Sequence, residues 1–311
     1  MHPNFDFGFF TLPAMGTCIL IGTVIGLVVM FLIRRFSRLS TDNILDGLIW
    51  AVLLGFFLAK VLYWIVSPES LTLDFSSTSA FFDSLWRLIG EGMVFYGGLI
   101  GGVLGLAIVA IRKKKGFLEF TDLFAPCFCL AHAGGRFGCY FSGCCYGMEC
   151  VSPISVNYPV GGVFSMRLPT QLMEAGFLIL LSAALIVVLK HSKRRGTVTA
   201  WYLIAYSVWR FVIEFFRGDE ARGAVGALST SQFISFFILA AGISVLLLSR
   251  TQKQTRLMAF LTGKADPEPE GEEETAAPEE IDTQEEADSP EEVPEEAEAP
   301  EAEPDEETPT P

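Results

Sequence analysis

Seven stretches of this chain are apolar for long enough to cross a lipid bilayer, and nothing else in the sequence restricts the fold so much. They run over residues 12–33, 45–66, 90–111, 119–142, 169–190, 197–217 and 231–249. A hydrocarbon core ~30 Å thick needs about 20 residues of helix rising ~1.5 Å each. Lipid offers no hydrogen-bond partner to the main chain, so each run must close its own bonds as a helix. The expected fold class is an all-α polytopic membrane protein with about seven transmembrane helices. The fourth run is the least regular, because Gly134, Gly135 and Gly138 interrupt it around Arg136; glycine there permits close packing or a local break.

Basic clusters orient the runs. Arg34, Arg35 and Arg38 follow the first, Arg112 to Lys115 the third, Lys190, Lys193, Arg194 and Arg195 the fifth, and Arg250, Lys253 and Arg256 the seventh. Such clusters are retained in cytoplasmic loops, and all four fall on one side. The N-terminus is therefore expected outside and the C-terminus inside. No basic residue precedes the first run and no small-residue cleavage signal follows it, so it is read as a retained anchor and not a removable signal peptide. Topology accounts for the basic clusters, so nucleic acid is not an expected partner.

The net charge of −14 conceals two regions. Asp266 to Pro311 hold 22 of the 36 acidic residues and none of the 22 basic ones, which leaves the preceding chain 14 acidic against 22 basic residues. The expected division is a seven-span domain over residues 1–262 and a Glu/Pro-rich cytoplasmic tail over 263–311. The tail has almost nothing to bury, so it is expected to be disordered, as an entropic bristle or as a regulatory, partner-binding segment.

Within the membrane body, Arg136 and Arg210 lie inside apolar runs, and Glu214 follows Arg210 by four residues. An ionisable group in hydrocarbon costs at least a few kcal/mol, so such residues usually face a polar cavity and act there. With the orientation above, Arg136, Arg210, Glu214 and Arg217 all fall toward the outer leaflet. On a continuous helix Arg210, Glu214 and Arg217 share one face. A guanidinium held by a carboxylate keeps donors free for phosphate, and a phospholipid headgroup is the anion available at that depth. The competing roles are an ion-pair latch between helices and, for Arg217, snorkelling to the interface.

Four runs in one order carry a resemblance: Phe95-Tyr96-Gly97-Gly98-Leu99-Ile100-Gly101, Gly135-Arg136-Phe137-Gly138, Arg167-Leu168-Pro169-Thr170-Gln171-Leu172-Met173-Glu174, and Tyr206 to Arg217. Asp122 with Ala125 and Pro126, and Ser231-Gln232 at the last run, also fit. Over the second to seventh runs the chain resembles the bacterial prolipoprotein diacylglyceryl transferases, in a cysteine-rich branch. The resemblance implies transfer of the diacylglyceryl group of phosphatidylglycerol to the lipobox cysteine thiol of a prolipoprotein signal peptide, with glycerol 1-phosphate released, at the outer face of the plasma (inner) membrane. It implies no metal and no cofactor. Arg136 and Arg210 would hold the phosphate, Glu214 would orient Arg210, and Gly97, Gly98, Lys60, Gln171 and Arg217 would help bind substrate. Lys60 stands where the family usually has arginine, keeping the charge without the fork. Gln171, Glu174 and Gln232 fit either site positions or helix–helix hydrogen bonds. The alternatives are an enzyme of the same fold with a changed lipid or acceptor, and a phospholipid-binding or transport protein without turnover.

The departures from the family fall on the reacting groups. Its usual histidine before the glycine pair is Tyr96 here, and an ordinary phenol titrates near 10, a poor base at neutral pH. His132, one helical turn before Arg136, is the replacement visible in the chain, either as the base or as a packing hydrogen bonder. Two positions that are usually asparagine and glutamate are Cys139 and Cys144. With Cys145 and Cys150 they place four of the seven cysteines on the outer side. One or two disulfides are the expected outcome in an oxidising exterior. A zinc site has the ligand number but lacks paired C-x-x-C spacing, and a redox or nucleophilic thiol is the third possibility.

Overall fold

The computed structural model describes residues 4–6, 8, 11–90, 92–160, 163–218, 224–225, 228–250 and 260–263. Apart from residue 263, the expected tail lies outside these residues. Eight α-helices are described: α1 Ala14–Ile33, α2 Thr41–Val66, α3 Thr78–Gly90, α4 Phe95–Arg112, α5 Phe117–Ser142, α6 Thr170–His191, α7 Thr197–Ile213 and α8 Thr230–Arg250. Three antiparallel pairs decorate them: β1 Asn4–Asp6 with β2 Thr11–Pro13, β3 Val156–Val160 with β4 Val163–Arg167, and β5 Ala224–Val225 with β6 Leu228–Ser229.

Five helices, α1, α2, α4, α6 and α8, are long and apolar enough to cross a membrane. Two more of the expected runs are helical but differ in kind. α5 is 26 residues long and carries Glu119, Asp122 and Arg136, and α7 has only 17 residues. The outward faces are apolar, with Leu20, Ile65, Leu180 and Phe237 each more than 60% exposed. That pattern suits a surround of lipid, in which apolar surface needs no cover.

The glycines of the fourth run make contacts rather than a break. α5 continues unbroken through Gly134, Gly135 and Gly138. A Cβ on Gly134 would come within 2.4 Å of the Cys18 carbonyl oxygen, and one on Gly22 within 2.7 Å of that of Leu130, so α1 and α5 touch backbone to backbone. α4 packs on α2 in the same way through Gly97, Gly101 and Gly105, each of which would clash with an α2 carbonyl at 2.5 Å or less if it gained a Cβ. Small residues four apart allow this approach, and dispersion then replaces the hydrophobic drive that lipid removes.

At the other end of α5, Asp122 is buried and fully engaged. Gly196 N donates to its Oδ2 at 2.6 Å, and Thr199 N and Oγ1 donate to Oδ1 at 2.8 and 2.7 Å. Gly196 adopts φ +86, a left-handed turn that opens α7. The carboxylate thereby fixes the α6–α7 connection to α5 and satisfies amides at the α7 N-terminus.

Elements beyond the expected helices include α3 and the β3–β4 hairpin. α3, between the second and third runs, leaves Phe82 and Trp86 exposed while Ser84 is buried and receives the Asp74 amide at 3.1 Å. The β3–β4 hairpin stands between α5 and α6, and fully buried Tyr158 ties it to α6 by donating to Gln171 Oε1 at 3.1 Å. Burial pushes the Tyr158 phenol up from its ordinary pKa, which keeps it a donor.

Candidate functional site at the ends of three helices

α6 begins directly after Pro169, which places Glu174 in its second turn, 1% exposed. A carboxylate removed from water must be paired, and three groups meet one oxygen here. Arg136 Nη2 of α5 lies 2.9 Å from Glu174 Oε1, the Tyr206 hydroxyl of α7 donates to it at 3.3 Å, and His132 Nε2 is 3.9 Å away. His132 and Arg136 therefore do share a face of α5, one turn apart. The imidazole sits among Phe95, Phe128 and Tyr206, with ring centroids 6.0, 6.0 and 5.4 Å away. Its Nδ1 has no hydrogen-bond partner among the described residues.

Arg210 closes the cluster from the end of α7. Its Nη2 donates to Ser231 Oγ, at the start of α8, at 2.7 Å and lies 2.7 Å from Glu214 Oε2, a close contact without good hydrogen-bond alignment. Both arginines lie within electrostatic reach of His132 and of Tyr206. Arg136 Nε and Arg210 Nη1 are buried with no acceptor among the described residues. A buried donor left unmade costs about 1–3 kcal/mol, more when charged. Two such guanidinium donors within one cluster are the chemistry of an anion site.

The remaining expected site residues divide by position. Gln171, 1% exposed, donates from Nε2 to the Cys144 carbonyl at 2.5 Å while accepting from Tyr158, so its visible work is to brace the turn after α5. Lys60 donates to the Gly92 carbonyl at 3.1 Å and lies over the Tyr63 ring at 5.3 Å. Gly97 faces α2 in the packing seam, and Gly98 stands beside it with looser contacts. Tyr96 is half exposed and its ring meets Phe95; Phe95, not Tyr96, reaches His132.

The helical face expected to carry Arg210, Glu214 and Arg217 does not continue. α7 ends at Ile213, a short 3-10 turn covers Glu214–Phe216, and Arg217 is extended at φ −80, ψ 148. The chain leaves the helix there to pair with the loop that follows α5, where Met148 N donates to the Phe216 carbonyl at 2.9 Å. Arg217 still approaches Glu214, Nε to Oε2, at 3.9 Å.

The expected disulfides are also absent among the described residues, where all seven cysteines are in the reduced form. Cys139, Cys144 and Cys145 converge, with their sulfur atoms within 4.8 Å of one another, whereas the Cys150 amide pairs with the Met166 carbonyl on the hairpin side.

Glu174, which the sequence leaves between packing and site roles, is the centre of the cluster; of two residues quoted only as parts of matching runs, Tyr206 donates to Glu174 and Ser231 accepts from Arg210. A carboxylate near the start of an apolar run is the signal for Glu174. Gln232 resolves the other way. Its side chain accepts from Ser229 N at 3.1 Å while Ser229 Oγ accepts from Gln232 N at 3.2 Å, a reciprocal cap on α8.

The sequence profile of prolipoprotein diacylglyceryl transferase matches residues 4–248. The chain is 37% identical over 231 residues to phosphatidylglycerol-prolipoprotein diacylglyceryl transferase 2 of Clostridium perfringens, covering 71% of this chain and 87% of that protein. It is 33% identical over 242 residues to the phosphatidylglycerol-prolipoprotein diacylglyceryl transferase of Clostridium tetani, covering 77% and 94%. The protein so named from Chlorobaculum tepidum is 31% identical over 251 residues, covering 74% and 85%. With most of its length matched in this way, the chain belongs to the prolipoprotein diacylglyceryl transferase family.

Proposed function

We propose that this protein transfers the diacylglyceryl group of phosphatidylglycerol to the lipobox cysteine of prolipoprotein signal peptides, releasing glycerol 1-phosphate. The single observation that carries the reading is the pair of buried guanidiniums, gathered by Glu174 and by Glu214 with Ser231, that keep donors open at Arg136 Nε and Arg210 Nη1. In the reaction a thiol sulfur attacks the glyceryl carbon, the carbon–oxygen bond to phosphate breaks, and charge develops on the departing phosphate. Donors fixed beforehand at the place where charge develops lower that barrier most. Glu174 keeps Arg136 oriented, while Glu214 and Ser231 do the same for Arg210. His132 is the better placed of the two candidate bases, because it lies in the cluster and Tyr96 does not. Gln171 serves through the outer turn, and Lys60, Gly97 and Gly98 through the α2–α4 pair. Arg217 steadies Glu214.

The seven runs act as spans with the N-terminus outside, so that the cluster opens toward the outer leaflet of the bacterial plasma membrane, where lipid and signal peptide both arrive laterally. The acidic segment is a separate cytoplasmic tail. The test is transfer from labelled phosphatidylglycerol to a lipobox peptide by the purified protein, with glycerol 1-phosphate followed in parallel. Product with the cysteine peptide and none with its serine counterpart supports the transferase. Glycerol phosphate without peptide product points to a changed acceptor, the reading that Tyr96, Cys139 and Cys144 at altered positions would favour, and bound lipid without turnover points to a carrier.

A further inference from the structure

The spacing of Cys139, Cys144 and Cys145 becomes a constellation because of how α5 ends. Gly143 turns left-handed at φ +70, and the Cys144 amide donates back to the Cys139 carbonyl at 3.1 Å, so the chain doubles over its own last helical turn. Cys145 follows at φ +62, a region that a non-glycine residue seldom enters. α6 then pins both carbonyls, Gln171 Nε2 on that of Cys144 and Thr170 Oγ1 on that of Cys145 at 2.9 Å. The three sulfur atoms end within 4.8 Å of one another on a turn held from two sides.

We propose that Cys139, Cys144 and Cys145 form a zinc site with one open coordination position beside Arg136, which receives the acceptor thiol as a thiolate. The proposal rests on the transferase reading above and supplies the thiol activation for which that reading has only a buried histidine. Thiolates at zinc–sulfur distances of about 2.3 Å sit ~3.8 Å apart in a tetrahedron, so the sulfurs need close in by only about 1 Å. Three protein ligands with a vacant fourth position are the pattern of a catalytic zinc, in contrast to the closed four-ligand structural site. Arg136 lies within electrostatic reach of Cys139 and Cys145, and its charge offsets the surplus negative charge of three thiolates on one divalent ion.

A thiol that coordinates such an ion gives up its proton outright. That proton passes to solvent or to His132, the sulfur attacks the glyceryl carbon, and the electron pair of the broken carbon–oxygen bond leaves on the phosphate held by Arg136 and Arg210. Zinc stays divalent and nothing is oxidised or reduced.

The test uses the full-length protein purified under reducing conditions without chelator. Zinc content by elemental analysis is expected at about one equivalent per chain, and cobalt added alone to metal-stripped protein is expected to give a thiolate charge-transfer absorption. Cys139→Ser and Cys144→Ser should abolish both signals, and Cys150→Ser should abolish neither; monodispersity by gel filtration checks that each variant is folded. Stripping zinc should lower peptide transfer by at least about tenfold and re-addition should restore it. Absence of zinc and cobalt binding at micromolar metal, binding indifferent to the serine variants, or a disulfide among these three cysteines in the active protein would overturn the site. Full transfer by metal-free protein would reject the proposal and leave the transferase standing. Metal bound through these cysteines in a protein with no transfer in any form would reject the catalytic role and the transferase reading together.

Discussion

Asp122 and Glu174 are both buried carboxylates inside the helical body, one on α5 and one on α6, yet they are satisfied in opposite ways. Asp122 takes two backbone amides and a hydroxyl, all neutral and all from the start of α7, and so acts as a latch on chain geometry. Glu174 faces a guanidinium, an imidazole and a phenol from two different helices. Around Glu174, a buried donor on Arg136 and a ring nitrogen of His132 remain without partners among the described residues, whereas both oxygens of Asp122 are used. A buried charge closed off by main-chain donors holds a fold together, and one surrounded by ionic groups with donors to spare holds something else.

The comparison breaks most sharply at the arginines. Arg136→Ala and Arg210→Ala should each lower transfer by at least about 10²–10³-fold, the loss seen when one preorganised donor to a developing anion is removed, while the protein still inserts and purifies; initial rates with saturating peptide check this. Glu174→Gln should come next, with transfer reduced by about 10–100-fold as Arg136 loses its orientation, and with a lower melting temperature, because breaking a buried ion pair leaves an uncompensated charge. His132→Asn should slow transfer by about tenfold through loss of a positioned base, with the loss greatest at low pH, where little of the acceptor thiol ionises unaided; unchanged rates across pH would make it a packing residue.

Asp122→Asn should behave differently from all of these. Loss of charge-assisted hydrogen bonds should reduce stability by about 1.5–3 kcal/mol, read as a lower melting temperature in detergent, while transfer per folded molecule stays within about twofold of the parent. Equal loss of rate and stability at Asp122 and Glu174 would erase the distinction between latch and site. The smallest effect is expected at Tyr96→Phe, within about twofold in rate, because exposed side chains outside a network usually matter little.

How far the site could be read from the sequence depends on which part is local. Arg136 with His132 and Arg210 with Glu214 are pairs one helical turn apart, and helix periodicity alone places their partners on one face. That argument fails at Arg217, since the helix stops at Ile213 and the following residues pair with the loop after α5, a tertiary contact that periodicity does not encode. The role of Glu174 depends on how α6 is set against α5 and α7, and the sequence offered only a charge in an apolar run. The glycines of α5 posed a choice between packing and a break, decided by the matching glycine Gly22 on α1. α3 and the β3–β4 hairpin lie between the apolar runs, where a search by span length does not look. The cysteines are legible as a cluster, but their convergence depends on two features of the turn, the left-handed residues Gly143 and Cys145 on either side of Cys144, that composition does not reveal.

The most direct test of the central claim is equilibrium binding of glycerol 1-phosphate to the purified protein, the parent compared with Arg136→Ala, Arg210→Ala and Asp122→Asn. Saturable binding by the parent and by Asp122→Asn, lost in both arginine variants, is the expected result. Binding that survives loss of either arginine, or that disappears with Asp122→Asn in a folded protein, would contradict it.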